Sequence, residues 1–116
     1  MKNTDIGNIG EDIALNYLLN KGYILLCRNY RQFIGEIDLI MQDENQLVFI
    51  EVKARKSVKY GYPRDFVTKN KQRKILDTAC LYIQENNLEN YQPRFDVVEI
   101  YLSEENRVEH IENAFP

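Results

Sequence analysis

The sequence predicts an α/β fold, with a mixed sheet and a helix packed on each side of it. Three observations carry this. Two long segments, residues 4–20 and about 65–86, space their apolar residues at helical period. Five shorter segments read as strands, giving the order helix, three strands, helix, two strands. Two of those strands, Gly35-Glu36-Ile37-Asp38-Leu39-Ile40 and Val48-Phe49-Ile50-Glu51-Val52-Lys53, are separated only by a short polar stretch and so read as a hairpin.

Taken in order, Thr4 to Asn20 is the first helix and Gly22 its stop. Ile6, Ile9, Ile13, Ala14, Tyr17 and Leu18 share one broad face. Gly7, Gly10 and Ala14 lie on that arc as well, and their small size lets the helix backbone approach a sheet or a ligand. Tyr23 to Tyr30 is the first strand, and the hairpin strands follow it as a meander. A long connection, 54–66, carries Gly61 and Pro63. The second helix runs from about Asp65 to Asn86. Arg94 to Leu102 is a strand with Phe95, Val97, Glu99 and Tyr101 on one face, and Arg107 to Ile111 is a short last strand. Ala114 and Phe115 then dock on the body.

The hairpin has a register that its apolar residues dictate. Ile37, Leu39 and Met41 make one row, and Val48, Ile50 and Val52 another. Both rows face the same core, so the loop holds an even number of residues. Centring the turn between Glu44 and Asn45 sets Asp38 opposite Glu51 and Glu36 opposite Lys53. Like charges facing each other in a sheet repel. Two such carboxylates beside an ammonium fit a divalent cation and an anionic substrate. A magnesium-type ion takes hard oxygen ligands, and two carboxylates plus phosphate oxygens suffice. Lys53 would then position water or stabilise an anionic transition state. The plain alternative is a solvated sheet face with a Glu36–Lys53 ion pair, which leaves Asp38 opposite Glu51 unexplained. Glu11 borders the apolar arc of the first helix and is either an outer group of the same site or a solvated boundary residue.

Composition places the chain in an ordinary globular class. At 116 residues it reads as one domain, with 44% hydrophobic and 28% charged residues. No apolar run reaches membrane-spanning length, and residues 1–5 show no apolar signal region. Cys27 and Cys80 lack metal-ligand spacing and sit in apolar segments, so they read as reduced, buried residues of a cytoplasmic protein.

The net charge of −3 is unusual for a strong nucleic-acid binder, but its distribution is uneven. Nine of the fifteen basic residues lie between Lys53 and Lys74, with Asp65 the one acid among them; that segment is +8 and the remainder −11. One basic face meeting a polyanion accounts for this, as does a solvated helix start and loop. The second helix carries a separate signal, that its N-terminal half abuts a polar site, the carboxylates. Thr68, Lys71 and Gln72 fall on the same arc as Val67, Ile75, Ala79, Tyr82 and Ile83, and polar residues at such positions point to function. Lys69, Arg73 and Lys74 point outward. Arg55, Lys56, Lys69, Lys71, Gln72, Arg73 and Lys74 are the residues assigned to nucleic acid. Tyr60, Tyr62 and Phe66, set among Lys59 and Arg64, either stack bases or pin the connection to the body. His110, the single histidine, reads as solvent-facing or structural.

Asp38 followed by Glu51-Val52-Lys53 resembles the PD-(D/E)xK signature of the restriction-endonuclease-like superfamily, whose core has the same element order. The resemblance is closer still to the YraN family of small bacterial proteins. It rests on Gly7-x-x-Gly10-Glu11-x-x-Ala14, the two hairpin strands with Arg55, Lys71-Gln72, Arg94-Phe95-Asp96-Val97-Val98 and Asn113-Ala114-Phe115. That family is similar to archaeal Holliday-junction resolvases. The resemblance implies a magnesium- or manganese-dependent endonuclease acting on DNA, branched or otherwise structured. It also implies a metal site of Glu11, Asp38 and Glu51, with Asp38, Glu51 and Lys53 catalytic. Ile37 stands where the signature has proline. Resolvases work as dimers, so a homodimer is compatible, although no single surface in the sequence demands one. The competing functions are a nucleic-acid-binding module of the same fold without turnover, and a protein-interaction domain whose carboxylate face is merely solvated.

Overall fold

The structure, a computed structural model, describes residues 3–55, 67–102, 105 and 107–115. The elements are α1 (Asn3–Asn20), β1 (Ile24–Gln32), β2 (Gly35–Asp43), β3 (Gln46–Arg55), α2 (Lys69–Glu85), β4 (Gln92–Tyr101) and β5 (Arg107–Ile111). The strands form one sheet in sequence order, β1-β2-β3-β4-β5. Every neighbouring pair is antiparallel except β3 and β4, which are parallel and joined through α2. This is the mixed sheet with a helix on each side that the sequence predicts.

The sheet is apolar on both faces because each face meets a helix. On one, Ala14 and Leu18 of α1 pack over Leu39, Met41, Val48, Ile50, Val98 and Ile100. On the other, Ile75, Ala79 and Tyr82 of α2 cover Ile40, Leu47, Phe49, Phe95 and Val97. The Ile37 row is therefore only partly as expected. Leu39 and Met41 join Val48 and Ile50, but Ile37 packs in the α2-side cluster. The β2–β3 ladder stops at Leu39–Ile50, so Ile37 lies beyond it, on a stretch paired to β1 alone.

Close approaches fix both helices. A Cβ on Gly10 would lie 2.5 Å from Ala54 Cβ, so only glycine lets α1 sit this near β3. Gly22, at φ +94°, ends that helix. Ile9, placed on the apolar arc by its spacing, is exposed. The second helix begins later than its periodicity predicts. Val67 and Thr68 are not helical, and Thr68 Oγ1 caps α2 by accepting from Lys71 N at 3.1 Å. Residues 56–66, with Lys56, Tyr60, Tyr62, Arg64 and Phe66, lie outside the described residues. Cys80 is exposed and Cys27 half-buried, against the expectation of two core thiols. Cys80 follows the buried Ala79 and so turns about a quarter of the helix circumference away from the core.

At the C-terminal end, Phe115 stacks on Phe95 with centroids 5.6 Å apart, and Ala114 N donates to Phe95 O, so the tail docks as predicted. A buried polar cluster holds the same region. Arg94 donates to Asp96, Tyr23 and Gln46 and pairs with Asp43 and Glu112. His110 Nε2 lies 2.7 Å from Asp96 Oδ2. The His110 side chain is thus structural rather than solvent-facing.

Candidate active site

Asp38 sits at a break in the sheet. On one side, the pairs Arg28–Leu39 and Tyr30–Ile37 flank Asn29 and Asp38, but no ladder pair joins those two. Asn29 has φ 55°, a left-handed conformation that asparagine tolerates better than most residues. On the other side, Asp38 and Glu51 lie one step past the last β2–β3 pair. The Glu44–Asn45 turn, with its Asp43–Gln46 closing pair, gives the register the apolar rows dictate. There the Asp38 side chain replaces the ladder, and its Oδ2 accepts from Val52 N at 2.8 Å. The strands separate into a cleft just where the two acids face each other.

That cleft has a volume of about 600 Å³ on the α1 side, lined by Gly7, Glu11, Asp38, Glu51, Lys53 and Arg55. A smaller one opens toward α2, lined by Gly35, Glu36, Asp38, Glu51, Lys71 and Lys74. Asp38 and Glu51 belong to both. Gly7 has open space beside it, so its missing side chain leaves room at the mouth.

The charges are arranged around Glu51, which is 8% exposed. Lys71 Nζ is 2.7 Å and Lys53 Nζ 3.5 Å from Glu51 Oε1. Burial, then the Glu51 charge, pushes the Asp38 acid up to about 7. Burial, then the neighbouring Lys71, lowers Lys53 and brings it closer to acting as a proton acceptor. Burial works against charge on Lys71, but the bonds to Glu51 and Lys53 and the Glu51 and Asp38 charges together outweigh it and the ammonium is held. The Glu36–Lys53 pair of the alternative reading does not form. Glu36 bonds Arg31 at 3.2 Å, and Lys53 turns to Glu51.

The other assigned residues separate. Glu11 lines the larger cleft, but its Oε1 is 3.4 Å from Arg28 Nε, and Arg28 also pairs with Asp12. Gln72 Nε2 donates to Val67 O, so it braces the helix start rather than meeting the carboxylates. Lys69 and Arg73 are exposed, as predicted. Lys74 is exposed yet lines the smaller cleft, because Gly35 packs against its backbone. Two features were missed in the sequence. Asn29 has no side-chain motif to mark it. Glu99, buried and registered beside Lys53, accepts from Tyr101 through Oε2 and leaves Oε1 without a partner among the described residues; its place on the predicted Phe95-Val97 face was the available signal.

Among the described residues no three His, Cys, Asp or Glu side chains group tightly enough to cage an ion alone. A magnesium-type ion does not need them, since substrate oxygens and water complete its shell. The donor set fits: two facing carboxylates, one of them held back from ionising by burial and by the other's charge, and a lysine ammonium on the second.

The element order is consistent with a restriction-endonuclease-like fold, with an acid on the second strand and Glu-x-Lys on the third. Within that class, the chain belongs to the YraN family, described as Uncharacterised protein family UPF0102, which matches it over residues 10–100. A UPF0102 protein of Clostridioides difficile is 50% identical over 115 residues, covering 99% of this chain and all of the relative. One of Caldanaerobacter subterraneus is 49% identical over 114 residues, covering 95% and 93%. One of Clostridium botulinum is 50% identical over 117 residues, covering 97% and 95%. No described helix is long and apolar enough to cross a membrane.

Proposed function

We propose that this chain is a magnesium- or manganese-dependent nuclease that hydrolyses phosphodiester bonds in DNA, with branched or otherwise structured DNA as its substrate. The observation that carries the reading is the convergence of Asp38, Glu51, Lys53 and Lys71 at the splayed end of β2 and β3. Asp38 and Glu51 would hold the metal, with Glu11 outside them through Arg28. The ion, when bound, lowers the proton affinity of water and offsets charge growing on the phosphate. Lys53, paired with Glu51, would position the attacking water by hydrogen bond or stabilise the charge growing on the phosphate. Lys71 turns from Glu51 to the phosphate once the carboxylate has another cation. Arg55 at the cleft and the exposed Lys69, Arg73 and Lys74 position the DNA backbone without reading sequence.

The test is cleavage of labelled single-stranded, linear duplex and four-way-junction DNA, with magnesium or with chelator. Magnesium-dependent cutting that is lost in Asp38→Asn and Lys53→Ala supports the nuclease. Binding without cutting supports the non-catalytic module, and neither outcome supports an interaction domain.

A further inference from the structure

The two-residue turn between β1 and β2 is Phe33–Ile34, closed by the Gln32–Gly35 pair. Neither residue has a positive φ, so the turn does not demand the Gly, Asn or Asp of the left-handed hairpin turns. It is made of two large apolar residues. The fold gains nothing from Phe33, which is 104% exposed, and Ile34 beside it is 38% exposed. A large aromatic held wholly in water beside a second exposed apolar residue is a candidate contact surface.

The position of the turn says what it meets. A Cβ on Gly35 would lie 2.6 Å from Thr78 Oγ1 and 3.3 Å from Lys74 O, so the turn is pinned beside α2. The start of that helix carries Lys69, Lys71, Arg73 and Lys74 with no acid among them. Gly35 and Glu36 also line the smaller cleft that ends at Asp38 and Glu51. The apolar tip thus stands next to a cationic helix start and at one end of the candidate site. Ile24, Leu25 and Leu26, the other exposed apolar residues of β1, lie at the far end of that strand, more than about 20 Å away at ~3.3 Å per residue. The tip and the strand edge are therefore not one apolar face for a second copy of the chain.

We propose, on the basis of the nuclease reading, that Phe33 and Ile34 form a wedge that stacks on unpaired bases and directs the cleft to interrupted duplexes such as forks, flaps and branches. Apolar wedges open base steps, and an aromatic face stacks on any base. Five residues of strand separate Phe33 from Asp38, roughly 17 Å at ~3.4 Å per residue. A duplex strand advances about 3.4 Å per nucleotide. With the DNA axis laid along β2, a base on Phe33 would lie about five nucleotides from the phosphate at Asp38.

The test uses a DNA fork with 2-aminopurine as its first unpaired base, and the matched linear duplex, both in EDTA. Wild type binds the fork more tightly and changes the probe's fluorescence. Phe33→Ala weakens fork binding about tenfold, spares duplex binding and abolishes the fluorescence change, as loss of one base–aromatic stack predicts. Phe33→Trp keeps both. The residue is fully exposed, so none of these substitutions threatens the fold. Equal fork binding by wild type and Phe33→Ala overturns the wedge while leaving the nuclease reading intact. So does a dimer, seen by sedimentation, that Phe33→Ala converts to monomer, since the tip would then be a contact between copies. Failure of wild type to bind either DNA overturns the nuclease reading itself, and the wedge with it.

Discussion

Asp38 is costly to the folded protein when ionised. Its acid is raised from 3.8 to about 7, so the native state holds a proton that the unfolded chain has released. Stability from this residue is therefore full below about pH 4 and falls as pH rises toward 7. Asp38→Asn, which can still accept from Val52 N, removes that loss. In EDTA at pH 8 the variant should be more stable than wild type by roughly 1–3 kcal/mol in urea unfolding, with little difference at pH 4. Divalent ions should raise the melting temperature of wild type alone, and more at pH 8 than at pH 6, because binding to the folded site is linked to loss of this proton. Lys53→Ala should abolish cleavage with its far-UV spectrum unchanged, since Lys53 serves the cleft and not the core. Asp38, Glu51 and Lys53 were legible in the sequence because strand parity and one even loop fix their faces. Asn29 and Phe33 were not, since a left-handed backbone and an unrewarded turn residue become visible only once the pairs around them are known.

The helices are set by single atoms. Gly10→Ala would drive a methyl to 2.5 Å from Ala54 Cβ, and α1 must shift off β3. The expected cost is about 1–3 kcal/mol of stability, and Ala54→Gly in the same chain should recover much of it. Chemical denaturation of the two single variants and the double tests this coupling. On α2, neutralising Lys69, Arg73 and Lys74 together should weaken DNA binding on every sequence and flatten its salt dependence, read by gel shift at two salt concentrations. Helix and strand identities were legible from apolar spacing. The start of α2 was not, because Val67 keeps the helical spacing and is buried while lying outside the helix; the extended Thr68 cap decides the boundary. Likewise Lys71 was readable as inward, but Gln72, one position on, finds a backbone carbonyl instead of the site.

Across the molecule, the site and the keystone of stability are separate. Arg94 joins the α1–β1 turn through Tyr23, the β2–β3 hairpin through Asp43 and Gln46, and the C-terminal segment through Glu112. Asp96 beside it is 0% exposed. Burial opposes charge on Asp96, but His110, Arg94 and the Asn113 N–H outweigh it and hold the acid below its ordinary value. Its contribution is thus present above about pH 4 and lost in more acid solution, opposite in sign to that of Asp38. Arg94→Ala should cost roughly 3–5 kcal/mol, because it leaves a buried carboxylate without its main cation. Thermal unfolding checks this, and metal binding by the protein that remains folded should be unchanged. The element order and the two-sided burial of the sheet were legible because each element carries its own periodicity. The Arg94 cluster was not, since its partners lie up to 71 residues apart and no local pattern links them.

The most direct measurement is a crystal soaked in manganese, with the ion located by its anomalous signal. Density is expected between the Asp38 and Glu51 carboxylates, within bonding distance of both, with Lys71 moved off Glu51. The same soak of Asp38→Asn should show none. A wild-type crystal with no manganese there, Asp38 still on Val52 N and Lys71 still on Glu51, would contradict a metal-dependent site at the splayed end of the hairpin.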